Sequence, residues 1–357
     1  MSAVFAMQTA AVLAIGGILI YLAICRNMEP ALLLPMGFGA ILVNLPGSGA
    51  AGVLEHLFSI GIGGHELFPL LLFIGIGAMM DFGPLLENPK LFLFGFAAQA
   101  GILFVFLLAR ALGFAPNDAA SVAIIGAADG PTAIFVSQEL KSGYIAPIMV
   151  SAYSYMALVP MIQPPVIRLC TTQKERRIRM AYSPRKITRK RKILFPIAVA
   201  VAAGVIAPDT AALIGFLMFG NLLKECGVLD SLAETARSHF ANALTILLGL
   251  AISARMTAPE LIRWETLLIL AMGLAAFAVD TAGGVLLAKA WNLFTKKKIN
   301  PMIGAAGISA FPMASRVVQK MGLAEDNQNH LLMHAAAVNV SGQIASVIVG
   351  GLLLRMI

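Results

Sequence analysis

Apolar runs of membrane-spanning length recur along the whole chain. Ala6 to Ile24, Leu91 to Leu112, Ile145 to Ile167, Ala241 to Ala254 and Leu267 to Leu287 carry almost no charge. A helix needs ~20 such residues to cross ~30 Å of hydrocarbon. The pattern predicts spans at 7–25, 31–46, 67–80, 91–113 and 145–168, then at 193–207, 209–224, 236–254, 264–292 and 328–356. The stretch 49–63 is apolar but carries Glu55 and His56, and reads as an amphipathic surface segment; if it crosses, the N-terminus changes sides. The first run has no basic region ahead of it and Arg26 after it, so it reads as a retained span rather than a signal peptide.

Composition agrees with the pattern. Of 357 residues, 59% are hydrophobic and 12% charged, and the mean hydropathy is +0.85; ordinary soluble domains carry about 25% charged residues. A water-soluble fold is excluded. The net charge of +8 invites a nucleic-acid reading, but its distribution argues against one. Eleven Lys and Arg lie between Arg168 and Lys192, against the single acid Glu175. A short loop of this kind, 169–192, is expected to stay in the cytoplasm. Four spans separate it from Lys296, Lys297 and Lys298, and an even number returns that second cluster to the same side. Cys25, Cys170 and Cys226 are scattered, and His56, His65, His239, His330 and His334 form no ligand pattern. There is no phosphate-binding loop, no zinc His-Glu-x-x-His and no Gly-x-Ser-x-Gly elbow, so energy for any pumping must come from a gradient or from partner chemistry.

Two apolar stretches are interrupted by Gly and Pro, which stop a helix from continuing. The first, 117–138, holds Gly126, Asp129, Gly130 and Pro131; the second, 299–320, holds Pro301, Gly304, Gly307 and Pro312. Ile125-Gly126-Ala127-Ala128 of the first recurs as Ile303-Gly304-Ala305-Ala306 in the second. By the span count they enter from opposite sides. Paired interrupted segments in corresponding halves mark the binding site of a transporter. The expected architecture is therefore an all-α polytopic membrane protein. It has about ten transmembrane helices in two inverted repeats, 1–168 and 193–357, joined by the basic loop, and each repeat carries a re-entrant helical hairpin.

Polar residues inside these apolar stretches are the candidate chemistry. A carboxylate at membrane depth costs ~2.5–3.5 kcal/mol on insertion scales and faces a cavity or a partner. Asp129 is such a group, a hard oxygen ligand for a small cation, and Asp-Gly-Pro is also good turn chemistry. Tyr153 and Tyr155 point in different directions on one helix, and Tyr155, at mid-span, is either an interfacial anchor or a functional hydroxyl. Asn300, Ser309 and Arg316 stand out in the second stretch, where Ser309 also reads as a helix cap and Arg316 as an interfacial anchor. In the last span Asn339 and Gln343 share a face, with Ser341 and Ser346 beside them. Asp280 is either a second ionisable position or a helix–helix hydrogen-bonding group near Thr281.

Three long motifs carry a resemblance. GAADGPTAIFVSQEL at 126–140 with SAYSYMALVPMIQPP at 151–165, INPMIGAAGISAFPMASRVVQ at 299–319, and NHLLMHAAAVNVSGQIASVIVGG at 329–351 resemble the signatures of the β subunits of sodium-pumping oxaloacetate, methylmalonyl-CoA and glutaconyl-CoA decarboxylases. The likeness runs from about Leu70 onward and is weaker before it; compared with longer members the chain looks trimmed at its N-terminus and in its loops. The resemblance implies a translocase that releases carbon dioxide from carboxybiotin while sodium leaves the cell and a proton is consumed. It also implies that Asp129, Tyr155, Asn300, Gly304, Ser309 and Arg316 are the functional residues. In that reading Asp129, Ser309, Asn300, Asn339 and Tyr155 ligate sodium, Gly304 allows close backbone approach, Arg316 holds the carboxylate of carboxybiotin, and Tyr155 relays the proton. Biotin is carried by a partner, since Lys320-Met321 lacks the preceding Met of a biotinyl site. The implied partners are a carboxyltransferase α subunit, a biotin carrier domain or subunit, a small membrane γ or δ subunit, membrane lipid and further copies in a trimer; nucleic acid is not among them. The implied location is a bacterial or archaeal cytoplasmic membrane. The rival readings are a sodium/proton antiporter without a biotin partner and a structural anchor for a soluble enzyme.

Overall fold

The computed structural model describes residues 3–26, 30–64, 66–181 and 187–357, and every regular element among them is helical. His65 and the stretch 182–186 of the basic loop lie outside the described residues. The principal helices are α1 (Ala3–Arg26), α2 (Pro30–Asn44), α3 (Ala50–Gly61), α4 (Leu67–Met79), α5 (Pro89–Ala111), α6 (Pro116–Ala123), α7 (Gly130–Glu139) and α8 (Ile145–Cys170). They continue as α9 (Arg189–Ile206), α10 (Ala211–Glu225), α11 (Ala241–Ser253), α12 (Trp264–Phe294), α13 (Met313–Glu325) and α14 (Leu332–Met356). Four of them, α1, α5, α12 and α14, are long and apolar enough to cross a membrane, and a fifth if the bent α8 is one span. That bend, 68° between Met156 and Leu158, lies where Pro160 leaves the Met156 carbonyl without its helical N–H.

Burial ranks the long helices from outside to centre. Only 22% of the apolar window of α1 is buried, against 50% for α12 and 78% for α14. α14 therefore runs through the middle of the molecule, while α1 shows most of its surface to the hydrocarbon. One apolar core joins α5 to α10, α12, α13 and α14; a second joins α1 to α4 with α11, and Ile134, Met149 and Tyr153 of α7 and α8 connect to it. α3 buries Leu54, Phe58 and Gly61 on one face and exposes Glu55 and His56, which is the amphipathic pattern of the sequence.

The first broken stretch forms a hairpin: α6, a tight turn at Ile124–Ala127, Ala128 with φ +51° and then α7. The second departs from a two-limbed hairpin. Its first limb is the single turn Met302–Ala305, followed by irregular backbone to Pro312 and then α13. The reason is close packing. Gly304 abuts Gly284 of α12 so tightly that a Cβ on either would run into the carbonyl of the other, and a Cβ on Gly307 would crowd the carbonyl of Phe94. Backbone so pinned to two neighbours leaves no room for a longer limb.

α5 is interrupted near Ala98, which the unbroken apolar run did not foretell. Gln99 donates from Nε2 to the carbonyls of Gly95 (3.1 Å) and Gly307 (3.3 Å), and the Gly101 N–H donates to a carboxylate oxygen of Asp280. The Gly101 N–H at the interruption thus finds its partner on α12, the Gly95 carbonyl is met by the Gln99 side chain of the same helix, and that side chain also ties α5 to the second broken segment.

Candidate ion site between the two broken segments

α12 measures depth. At 1.5 Å per residue its 31 residues span ~46 Å, and Asp280 lies close to its centre. A Cβ on Gly126 would touch Asp280 Oδ2 at 2.8 Å, so the first break lies at the same level. Gly304 meets Gly284, one turn further along α12. The two breaks also touch directly, because the Ser309 N–H donates to the Ala127 carbonyl at 3.0 Å.

Asp129 caps α7. The Asp-Gly-Pro sequence sets this up: Pro131 begins the helix without an N–H to satisfy, and Asp129 stays extended with φ −121° and ψ 93°. Its carboxylate is 3% exposed. Oδ2 accepts from Gln343 Nε2 (2.6 Å), Thr132 Oγ1 (2.7 Å) and Ser346 Oγ (3.0 Å). Oδ1 receives only the Thr132 N–H, at 3.5 Å. One oxygen is saturated and the other is open. No Lys or Arg among the described residues pairs with the carboxylate.

Around it the polar groups are oriented by α14. Asn339 donates from Nδ2 to the Ile308 carbonyl at 2.6 Å, and its Oδ1 is buried without a partner. Ser309 donates its hydroxyl proton to the Gly342 carbonyl at 2.9 Å, which leaves the oxygen lone pairs free to accept or to ligate. Gln163 of α8 ties in the same segment through the Ala305 carbonyl, 2.8 Å.

The two tyrosines separate. The Tyr155 hydroxyl donates to the Leu270 carbonyl of α12, and its ring packs with Ile125 against Gly273. Tyr153 lies on the Asp129 side: its ring abuts Gly130, and its buried hydroxyl has no partner. Asn300 is not brought to Asp129. Its Nδ2 donates to the carbonyls of Arg176 (2.8 Å) and Ile178 (2.9 Å) in the basic loop, and its Oδ1 accepts the Met302 N–H (3.1 Å) at the start of its own segment. Arg316 is exposed on α13, with no side-chain partner among the described residues. One turn on, Lys320 lines a 200 Å³ crevice with Pro160, Pro164, Arg168 and Glu325.

The two basic clusters share one face. Arg179, Lys297 and Lys298 line a single 370 Å³ cavity with Lys90 and Trp291. The loop is docked by Arg176 on Glu325 and by Arg179 on Asp326, each at 2.6 Å, and the Arg176 hydrogen bond holds the Glu325 carboxyl below its ordinary range. On the other face, burial and then the charge of Glu139 push Glu66 up to about 7. From the sequence, Tyr153, Gln343 and Ser346 stood out as polar groups in apolar stretches without being assigned to the ion site, and Thr132 did not stand out. Gln343 was marked only by sharing a face with Asn339, and Thr132 by nothing beyond its place three residues after an N-cap Asp.

Two interrupted segments that meet beside a buried carboxylate in a helical membrane protein have the arrangement expected of an ion transporter's site. The family profile of the Na+-transporting oxaloacetate decarboxylase beta subunit matches residues 8–357. The methylmalonyl-CoA decarboxylase subunit beta of Propionigenium modestum is 46% identical over 368 residues, covering 95% of this chain and 92% of its own. The glutaconyl-CoA decarboxylase subunit beta of Acidaminococcus fermentans is 43% identical, covering 99% and 94%. The oxaloacetate decarboxylase beta chain of Klebsiella pneumoniae is 40% identical over 412 residues, covering 98% and 95%. The chain belongs to the sodium-transporting decarboxylase beta subunit family. It is the membrane subunit of a biotin-dependent, multi-subunit decarboxylase and couples decarboxylation to sodium transport. The likeness reaches back to residue 8, ahead of the Leu70 limit set by the motifs. The matches lend no support to the antiporter reading.

Proposed function

We propose that sodium is bound where the two broken segments meet, by Asp129 Oδ1, Asn339 Oδ1, the Ser309 hydroxyl oxygen and carbonyl oxygens of the breaks. The observation that carries this is the division of labour on Asp129: three donors fix Oδ2, so the carboxylate is held in place while Oδ1 keeps its lone pairs. Sodium is a hard cation and takes oxygen ligands of this mixed kind, one charged and the rest neutral. Gly304 serves the site by letting the second segment lie against α12, and Asn300 serves it as a positioning residue that ties the basic loop to the start of that segment.

The decarboxylation belongs to the face that carries the basic clusters, which we place in the cytoplasm. Carboxybiotin arrives on a carrier belonging to a partner subunit, and Arg316, exposed beside the Lys320 crevice, takes its carboxylate in two parallel N–H···O bonds. The C–N bond breaks, carbon dioxide leaves, and the electron pair on the ring nitrogen takes a proton. Tyr155, between the first break and α12, relays that proton. Sodium leaves to the opposite side as the breaks shift against α12 and α14. The full reading has ten spans in two inverted repeats, 1–168 and 193–357, re-entrant hairpins at 117–138 and 299–320, and a bacterial or archaeal inner membrane. The partners are the carboxyltransferase α subunit, the biotin carrier and a small γ or δ subunit, around a trimer of this chain.

The test is the complex reconstituted into liposomes, with sodium movement followed on adding the substrate of its α subunit. Sodium transport in step with decarboxylation, lost in Arg316→Lys together with turnover of free carboxybiotin, supports the assignment. Full turnover in Arg316→Lys refutes the bidentate role.

A further inference from the structure

Asp280 is a second carboxyl at mid-depth, and the sodium site makes no use of it. It is 0% exposed. Oδ1 accepts the N–H of Gly101 at the interruption of α5. Oδ2 has no partner among the described residues, and it lies 2.8 Å from where a Cβ of Gly126 would be, with the Ala276 methyl beside it. The surroundings are backbone and methyl groups.

The titratable and charged groups on the elements packed about it are engaged elsewhere or distant: Tyr153 of α8 lies at Gly130 on the Asp129 side of the break, and Arg168 lines the crevice beside Lys320. Asp129, at the far end of the break, is held by Thr132, Gln343 and Ser346. Tyr155 of α8 is on the Leu270 carbonyl, Arg110 of α5 on Phe114 and Asp118 of α6 on Ser142. Lys90 of α5 is exposed at its other end. On α12 itself, Lys289 is on Cys170 and Glu175, and Glu265 lies 15 residues away, ~22 Å along the helix. The turn Met302–Ala305 carries no titratable side chain. No cationic side chain among the described residues balances a charge on Asp280.

A bare carboxylate in such a place is far costlier than a carboxylic acid, since one backbone N–H offsets little of its desolvation. A metal ion is a poor occupant: only one oxygen is free, the other already accepts an N–H, and no cage of oxygens surrounds it. A proton needs one oxygen.

We propose that Asp280 is the proton-binding site of the pump, occupied in this conformation, and that its occupancy is coupled to sodium through the first break. Gly126 at one end of that break rests on Asp280, and Asp129 at the other end is clasped by α14. Loss of the proton places an anion against Gly126 with no counter-charge, and the break must lift from α12 to admit water. Lifting it withdraws Asp129 from Gln343 and Ser346 and takes Ala127 off Ser309. Protonated Asp280 therefore favours the assembled sodium site. This inference rests on the assignment of sodium to Asp129.

The experiment is equilibrium sodium binding to the purified full-length chain across a pH series, for the wild type, Asp280→Asn and Asp129→Asn, beside turnover of the reconstituted complex. Asn keeps the acceptor for Gly101 and stays neutral at every pH. The wild type should lose about tenfold in sodium affinity toward high pH. Asp280→Asn should lose that limb and turn over about tenfold more slowly. Gly126→Ala, which presses a methyl onto Oδ2 while leaving the carboxyl in place, should displace the limb in pH; it also serves if Asp280→Asn does not fold. An unchanged pH profile in Asp280→Asn, or in Gly126→Ala when that variant alone is folded, overturns the proposal while leaving the Asp129 reading intact. Full sodium binding by Asp129→Asn overturns the reading beneath it.

Discussion

Replacing Gly304 by Ala puts a methyl against the Gly284 carbonyl, and replacing Gly284 by Ala puts one against the Gly304 carbonyl. Both obstacles are backbone oxygens that no rotamer change removes. About 1 Å of separation between the turn Met302–Ala305 and α12 is needed to restore van der Waals contact, at ~1–3 kcal/mol. The same segment carries Ser309, bonded to Ala127 and Gly342, and Ile308, bonded to Asn339. Separation therefore pulls the second break off the first. A 1 Å misplacement at a site costs about 100-fold in rate, so either single substitution should lower sodium-stimulated decarboxylation by that order and the melting temperature by about 2–6 °C. One separation relieves both clashes, so the double variant should cost less than the sum of the singles by more than ~0.5 kcal/mol. Full activity in either single variant, or strictly additive costs, would refute the reasoning.

Asn300→Ala removes two hydrogen bonds to the basic loop and one helix-start contact. It should destabilise by ~1–3 kcal/mol and speed proteolysis of the loop, while sodium affinity at saturating complex assembly changes less than threefold; a large loss of sodium affinity would return Asn300 to the ligand set. Gln343→Leu leaves Asp129 Oδ2 with two side-chain donors in place of three, and should reduce turnover by about 10-fold or more, measured in the reconstituted complex. Glu66 binds its proton more tightly folded than unfolded, so the stability it supports is present at low pH and is lost as pH rises from about 4.5 toward 7. Thermal midpoints in detergent should fall over that range, and Glu66→Gln should flatten the decline.

The parts of this structure that were legible in the sequence are those fixed locally. Asp129 was visible because Asp-Gly-Pro interrupts an apolar run, and the residue does both things expected of it, capping α7 and facing inward. Of the matching Ile-Gly-Ala-Ala segments, the first meets the second broken stretch through Ala127, whose partner is Ser309, three residues beyond the second match. What was hidden depends on partners far along the chain. Gln343 and Ser346 reach Asp129 across 214 and 217 residues, and no spacing rule reveals such a pair. Asn300 was a ligand only in what the resemblance implied, and its amide satisfies loop carbonyls that local pattern does not place. Tyr153 and Tyr155 had to diverge, being two apart on a helix; which of them faces Asp129 was set by the packing of Gly130 and Gly273. Asp280 read as either a second ionisable position or a helix–helix hydrogen-bonding group near Thr281; it does bond another helix, at Gly101, and it faces Gly126, while Thr281 donates to its own helix at Phe277.

The central claim is that Asp129 and Asn339 hold the transported sodium where the two breaks meet. Isotopic sodium binding to the purified full-length chain tests it most directly. The wild type should bind sodium saturably, with affinity lowered at least tenfold in Asn339→Ala and binding abolished in Asp129→Asn while that variant keeps its helical content. Undiminished sodium binding by folded Asp129→Asn would contradict it.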